Sequence, residues 1–429
     1  MAKKLNSVLG VDIGSQRIKV AEIRTQGHDA VVTALGMIPT PEGAVDHTGI
    51  FNSDAVGVAL KQCISDAGGS SPFVVASISG QASVLVRTLE VPRMNPAELK
   101  EHMQWEINRN IPFAESTVVS DFRPLLDTDP NSANIDVVMA ISPQSAIDTM
   151  IASVKKAGKN LAAIDVEPLA IARSIQLSYG DTFQNETVCI VEMGQKTTSI
   201  NIYRDGKLLM PRQVPIGGEM FTKAIADALT ISMADAENTK LQKGEIPESA
   251  ADAVPGAPGA TQEFTPYNPF GDEAPPAPSP AAYNPFGDAS IAPAPGEPAP
   301  AAAAAPDATP GAAPVPAPAP HAGGDSADVV RIYNAFAPVL EEFVAEVRRS
   351  IDYYRSRGGE VNRILLCGGA SCMRGLSGFL TKTMGVTCDN YDPLRRLNVS
   401  AKKVSPDYID EHRQEFAVAI GNGLHILFD

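Results

Sequence analysis

Two stretches of this chain repeat one pattern 180 residues apart, measured from Asp12 to Glu192. Residues 8–23 read VLGVDIGSQRIKVAEI and residues 188–202 read VCIVEMGQKTTSINI. Each is an apolar strand, an acid, one apolar residue, a glycine, a polar turn and a second apolar strand. The acids are Asp12 and Glu192, and the glycines are Gly14 and Gly194. One copy alone reads as a β-hairpin with glycine in its turn. Two copies point to a duplicated fold that faces itself across a cleft. The residue types suit phosphate: glycine lets backbone N–H groups approach closely, and Ser15, Thr197 and Thr198 add hydroxyl donors. A carboxylate at a strand end can hold Mg²⁺ through water, because Mg²⁺ keeps most of its hydration shell.

The whole chain bounds what such a cleft serves. Its 429 residues, 44% of them hydrophobic, suffice for two core-forming domains. A formal net charge of −15 without a basic cluster argues against nucleic acid or anionic lipid as a main partner. The five cysteines include no C-x-x-C pair, and their odd number fits thiols of a reducing cytosol better than a disulfide framework. Lys3 and Lys4 precede an apolar segment too short for a signal peptide and broken by Asp12. No apolar run reaches 18 residues, so no membrane span is expected. The histidines lack metal-ligand spacing, and no Ser-His-Asp or Cys-His constellation is recognisable.

Along the chain, residues 8–91 read as strands with one amphipathic helix near 53–68. Asn95 is the expected N-cap of a helix with Pro96 at its first position. Two strands, a helix near 143–157 and the strand LAAIDV complete a compact α+β insert at 86–166. A helix over 168–179 leads into the second copy of the motif, where Asp205-Gly206 is a hairpin turn. From 245 to 326 proline and alanine dominate and aromatics nearly vanish; disorder with polyproline II character is expected. A long helix over 328–357 follows, and RILLCGGASCMRGLSGFL then sets Gly368 and Gly369 between a strand and a helix. That suits close approach to a ring or ribose, and equally a turn that merely needs glycine.

With these three elements in place, the chain resembles the actin, Hsp70 and sugar kinase superfamily, whose ATP sits between two duplicated RNase H-like domains. The resemblance covers all but the Pro/Ala segment. It implies phosphate contacts from Asp12, Gly14, Ser15 and Lys19 in one loop, and from Glu192, Gly194, Thr197 and Thr198 in the other. It further implies that VPIGGEMFTKAIA lines the nucleotide through Gly217, Gly218 and Lys223, and that Gly368 and Gly369 meet the adenosine. Glu167, in DVEPLAIARSIQLSYG, becomes the candidate for positioning water near a γ-phosphate, and EFAVAIGNGL the closing connector. Asp12 and Glu192 would hold Mg²⁺ through water.

Within that superfamily the chain is similar to the PilM family of type IV pilus assembly, on LGVDIGSQRIKVAEI, IPF at 111–113, RRSIDYYRSR at 348–357 and ILLCGGASCMRGL. The insert also lies where PilM and the division protein FtsA carry their 1C subdomain. The implied division is domain 1A over 1–85, the insert over 86–166 and a connecting helix over 167–187. Domain 2 then covers 188–244 and 327–392, with the Pro/Ala insertion at 245–326 between them and a return to 1A over 393–429. The resemblance implies a cytoplasmic adaptor at the inner membrane that binds the N-terminal peptide of a PilN-like protein, alongside other pilus components. Nucleotide binding is expected rather than substantial turnover, and self-association stays open. No membrane anchor of its own is expected, unlike FtsA. One departure stands out: the family usually has Asp where this chain has Glu192, which bears on metal geometry and hydrolysis. The rival readings are a sugar-type kinase, for which no D-x-G-T segment supplies the base, and a filament-forming division protein.

Two further features carry expectations. Trp105, the only Trp, reads as partly buried core or as an apolar anchor for a docked peptide. YNPFGD occurs at 267–272 and again at 283–288, either by chance or as a pair of weak docking motifs whose linkage raises effective concentration.

Overall fold

The first hairpin exists in the computed structural model of the chain, which describes residues 5–27, 29–80, 82–113, 117–125, 132–247 and 324–428. Strand β1 (Ser7–Ile13) pairs antiparallel with β2 (Arg17–Gln26), and β2 with β3 (Asp29–Pro39). Helix α1 (Ser53–Ala67) crosses over to β4 (Phe73–Ile78), which lies parallel to β1 on its other side. Asn52 caps α1 by accepting from Ala55 N, and Gly68 ends it in the left-handed conformation.

The chain then builds the insert from β5 (Leu85–Pro92), α2 (Pro96–Arg109), β6 (Val118–Pro124) and β7 (Asn134–Pro143). Its three strands run in the order β5-β7-β6. Helix α3 (Gln144–Lys156) and strand β8 (Asn160–Val166) follow. These two were expected within the insert, but β8 pairs parallel with β4 and α3 packs on α1. They belong to the first lobe, because the amphipathic faces of α1 and α3 bury one another.

Helix α4 (Glu167–Tyr179) leads to the second lobe, a meander of β9 (Thr187–Met193), β10 (Thr198–Arg204) and β11 (Lys207–Met210), with the short β12 (Gln213–Val214) beside β10. Helices α5 (Gly218–Leu229), α6 (Met233–Lys243) and α7 (Gly324–Ser356) precede β13 (Arg363–Cys367), α8 (Leu376–Met384) and β14 (Thr387–Asn390). Strand β15 (Asn398–Val399) returns to the edge of the first sheet, and α9 (Pro406–His412), α10 (Ala417–Gly423) and α11 (His425–Phe428) end the described chain.

The duplication is a matter of topology. One sheet contains β3-β2-β1-β4-β8 and the other β11-β10-β9-β13-β14. Each has three antiparallel strands followed by two parallel ones. Their central strands are apolar almost throughout because helices cover both faces. Glycine sets how closely α10 seats. A Cβ on Gly10 would lie 1.9 Å from Ala419 O, and one on Gly421 would lie 2.0 Å from Ala170 O. The connectors α4 and α10 thus cross backbone to backbone. Buried Asn422 ties α10 to both central strands of its lobe, donating to Val11 O and meeting Ser77 Oγ.

Other expectations resolve here. Trp105 is 55% exposed, with Arg109 stacked 5.0 Å from its ring centre. The buried stripe of α2 is Leu99, Met103 and Ile107, which turns Trp105 to the opposite side. The Pro/Ala segment and both YNPFGD copies fall outside the described residues, except at the ends of that segment. There Ile246 is buried and donates to Arg374 O at 2.9 Å, so 245–247 are not disordered. Asn95 caps α2 with a full capping box through Glu98.

Candidate functional site

The two glycine turns are built alike. Gly14 N donates to Arg17 O at 3.1 Å, and Gly194 N donates to Thr197 O at 3.0 Å. A Cβ on either glycine would meet that same carbonyl at 3.0 Å. Both turns line one cleft of about 990 Å³, open mouth included, between the lobes. Asp12, Gly14 and Ser15 face it from the first lobe; Glu192, Gly194 and Thr197 face it from the second. Glu167 lines the cleft from the N-terminus of α4, and Gly369 from the 3-10 turn after β13.

Charge in the cleft is unbalanced. Lys19 Nζ pairs with Asp12 Oδ2 at 2.9 Å. Burial works against the ammonium, but Asp12, Glu192 and Glu415 together hold the Lys19 pKa above its ordinary value. Burial pushes the Glu167 carboxyl up to about 7; the Ser199 hydroxyl and Lys19 oppose the shift and Asp12 adds to it. Glu192 is raised well above the carboxylate range, first by burial and then by the Glu167 charge. Four carboxyl groups therefore act on one lysine, and Glu167 Oε1 is buried without a hydrogen bond of ordinary length. This donor set fits a divalent cation held through water. Among the described residues no three His, Cys, Asp or Glu groups converge closely enough to ligate an ion directly.

The remaining predicted residues stand behind the cleft wall. Thr198 is fully buried and its hydroxyl donates to Ile216 O at 2.6 Å. Gly217 and Gly218 back the second turn: Gly218 N donates to Gly194 O at 2.9 Å, and a Cβ on Gly217 would lie 2.5 Å from Gln195 O. Gly368 has φ +87°, and a Cβ there would sit 2.6 Å from Glu192 Oε1 and 2.5 Å from Met193 O. The longer Glu192 side chain therefore lies over Gly368. Lys223 is exposed on α5 and does not line the cleft.

Sequence reasoning missed Glu415, which lines the cleft and is held by Arg17 Nη1 at 3.2 Å and His412 Nδ1 at 2.9 Å. It also missed a side cavity that shares Gln16, Gln195 and Gly369 with the cleft and adds Glu237 and Lys240. Lys240 Nζ is buried against Thr222 Oγ1, Glu237 Oε2 and Gly218 O. The three-residue spacing of Glu237 and Lys240 on a helix after the double glycine was the available signal.

Residues 10–255 match the family model "Type IV pilus assembly protein PilM". The chain belongs to the PilM family of type IV pilus assembly proteins. A model of cell division protein FtsA also matches residues 189–421, so residues 189–255, the first part of the second lobe, are matched by both models. Among curated relatives, FtsA of Neisseria meningitidis serogroup B is 21% identical over 54% of this chain and 60% of its own length. FtsA of Bacillus subtilis is 30% identical over 26% of this chain and 24% of its own. The chain thus spans less than two thirds of either relative. A solved PilM-PilN type IV pilus biogenesis complex matches 99% of both chains at 23% identity with a TM-score of 0.73. This likeness is one of fold, and the fold is the expected one: duplicated actin-like ATPase lobes about a cleft, with a small α+β insert.

Proposed function

We propose that this member of the PilM family is a nucleotide-binding adaptor of the type IV pilus inner-membrane platform. In this reading it grips ATP between its lobes and holds the N-terminal peptide of a PilN-like protein beside its insert. The observation that carries the nucleotide half is the pair of matching glycine turns lining one cleft. Backbone N–H groups of the turns and the Ser15 and Thr197 hydroxyls bind the phosphates. Asp12 and Glu192 orient the water shell of Mg²⁺, which supplies neutralising charge to the phosphates. Glu167 holds a water near the terminal phosphate, and Glu237 and Lys240 border the nucleoside end. Gly368 keeps the wall under Glu192 open.

The peptide half is supported by a groove between the insert and the first lobe, lined by Val119, Phe122, Ile147, Val166 and Leu169 among others. Strand β6 is an edge of the insert sheet, and Val119 on it is 40% exposed. An extended peptide can add to such an edge while its apolar side chains fill the groove. No helix among the described residues is long and apolar enough to cross a membrane. A membrane-bound partner would then bring the chain to the cytoplasmic face of the inner membrane.

Calorimetry with ATP, ADP and a synthetic PilN peptide, singly and in combination, tests this. Saturable binding of both, each altering the affinity of the other, is the expected result; a protein that binds neither overturns it. The FtsA model match over 189–421 and the FtsA relatives favour a filament-forming protein. Electron microscopy with ATP separates the two.

A further inference from the structure

The two glycine turns are held from behind by unlike devices. In the second lobe a helix does it: Gly218 N donates to Gly194 O and Glu219 N to Gln195 O, each at 2.9 Å. These are the first two N–H groups of α5, which have no partner within the helix. Behind the first turn stands the end of β3 instead. One residue just past that end, Thr40, supplies both donors. Its Oγ1 meets Gly14 O at 2.7 Å, and its N–H meets Gln16 O at 2.9 Å.

Each grip fixes the orientation of a peptide plane. In a planar trans peptide the C=O and the N–H that follows it point opposite ways. Thr40 Oγ1 behind Gly14 O therefore turns the Ser15 N–H to the other side, and Gly218 N behind Gly194 O does the same for Gln195. Ser15 and Gln195 both line the cleft, and no described residue accepts from either N–H. Free backbone donors on two such turns suit phosphate oxygens. Turned over, either peptide would present its carbonyl oxygen to the phosphates and repel them.

The residues around Thr40 keep its hydroxyl in place. Pro41 follows it, and a residue before proline is held in extended backbone. A β-branched side chain also has few χ1 choices. Thr40 is half-buried and does not line the cleft, so any effect it has on a ligand there passes through the turn.

We propose that Thr40 is the positioning residue of the first phosphate turn, a one-residue counterpart of the α5 N-terminus in the second. Its hydroxyl holds the Gly14–Ser15 peptide with the N–H toward the phosphates of a nucleoside triphosphate. This rests on the nucleotide half of the reading above. Without the hydroxyl the peptide turns over, and affinity falls by the fraction of molecules left in the competent form.

The test titrates the full chain with fluorescent ATP and Mg²⁺, beside an unfolding midpoint for each variant. Thr40→Val keeps the side-chain volume and the N–H bond to Gln16 O but loses the hydroxyl; it should weaken binding about tenfold. Thr40→Ser restores the hydroxyl and should bind within about threefold of wild type. Thr33→Val removes a hydroxyl from the same strand, where its partner is Glu22 O at 3.4 Å, and should bind as wild type does. The inference falls, and the nucleotide reading stands, if Thr40→Val binds as wild type does. It falls likewise if Thr40→Ser is as weak as Thr40→Val, or if Thr33→Val loses as much. If wild type itself does not bind ATP, both fall.

Discussion

Lys19 and Asp12 face each other across the first hairpin in a single register pair, with Nζ 2.9 Å from Oδ2. The equivalent pair in the second hairpin is Ser199 and Glu192, which has no cation. The two copies have therefore diverged at both positions of this pair, and Lys19 serves carboxyl groups contributed by both lobes and by α4. Replacing Lys19 by Met should cost about 3 kcal/mol of stability at pH 7, since it leaves buried charge without its counterion. The cost should shrink at pH 5, below the Glu167 pKa of about 7, where that carboxyl is protonated. Urea unfolding of both proteins at the two pH values checks this; an equal loss at both would show that Lys19 matters for packing alone.

Stability of the nucleotide-free protein should fall as pH rises from about 5 to 7. Glu167 has its pKa raised to about 7 in the folded chain, against 4.5 for the free side chain. The folded state thus holds a proton that the unfolded state has released, and that advantage is complete below 4.5 and lost as pH passes 7. Each pH unit in the window is worth at most about 1.4 kcal/mol for one such group. Glu167→Gln should flatten the profile. A wild-type profile that rises across the window would contradict the arrangement.

Thr197 and Thr198 are neighbours with different expected roles. Thr197→Ala should weaken ATP binding about fivefold to tenfold with little change in unfolding midpoint. Thr198→Ala should leave affinity nearly unchanged and cost about 1–2 kcal/mol, because the bond to Ile216 O is lost in the interior. Fluorescent-ATP titration beside chemical denaturation distinguishes them; the reverse pattern would refute the assignment.

Gly421 and Gly378 make a matched pair for the connector. A methyl at Gly421 collides with Ala170 O, a backbone atom in the other connecting helix, whereas nothing lies within 4 Å of one at Gly378 in α8. Gly421→Ala should destabilise by about 1–3 kcal/mol or more, and Gly378→Ala should stabilise by about 0.5–1 kcal/mol. Thermal unfolding monitored by calorimetry reads both, and a neutral Gly421→Ala would mean that α4 and α10 are not held in contact.

The sequence by itself determined the two hairpins, because a strand broken by an acid and reversed at glycine needs only local geometry and alternating burial. It determined the α2 cap and the double-glycine turn for the same reason: neighbours within four residues decide them. Tertiary structure alone decided which of the marked residues meet. Thr197 and Thr198 look interchangeable in a string, yet strand alternation sends one to the cleft and the other into the core. The place of β8 in the first sheet, the exposure of Trp105, the reach of Glu192 over Gly368 and the position of Glu167 in the cleft wall depend on contacts between segments far apart in the chain. Local spacing carries no information about such contacts, because only packing brings those segments together.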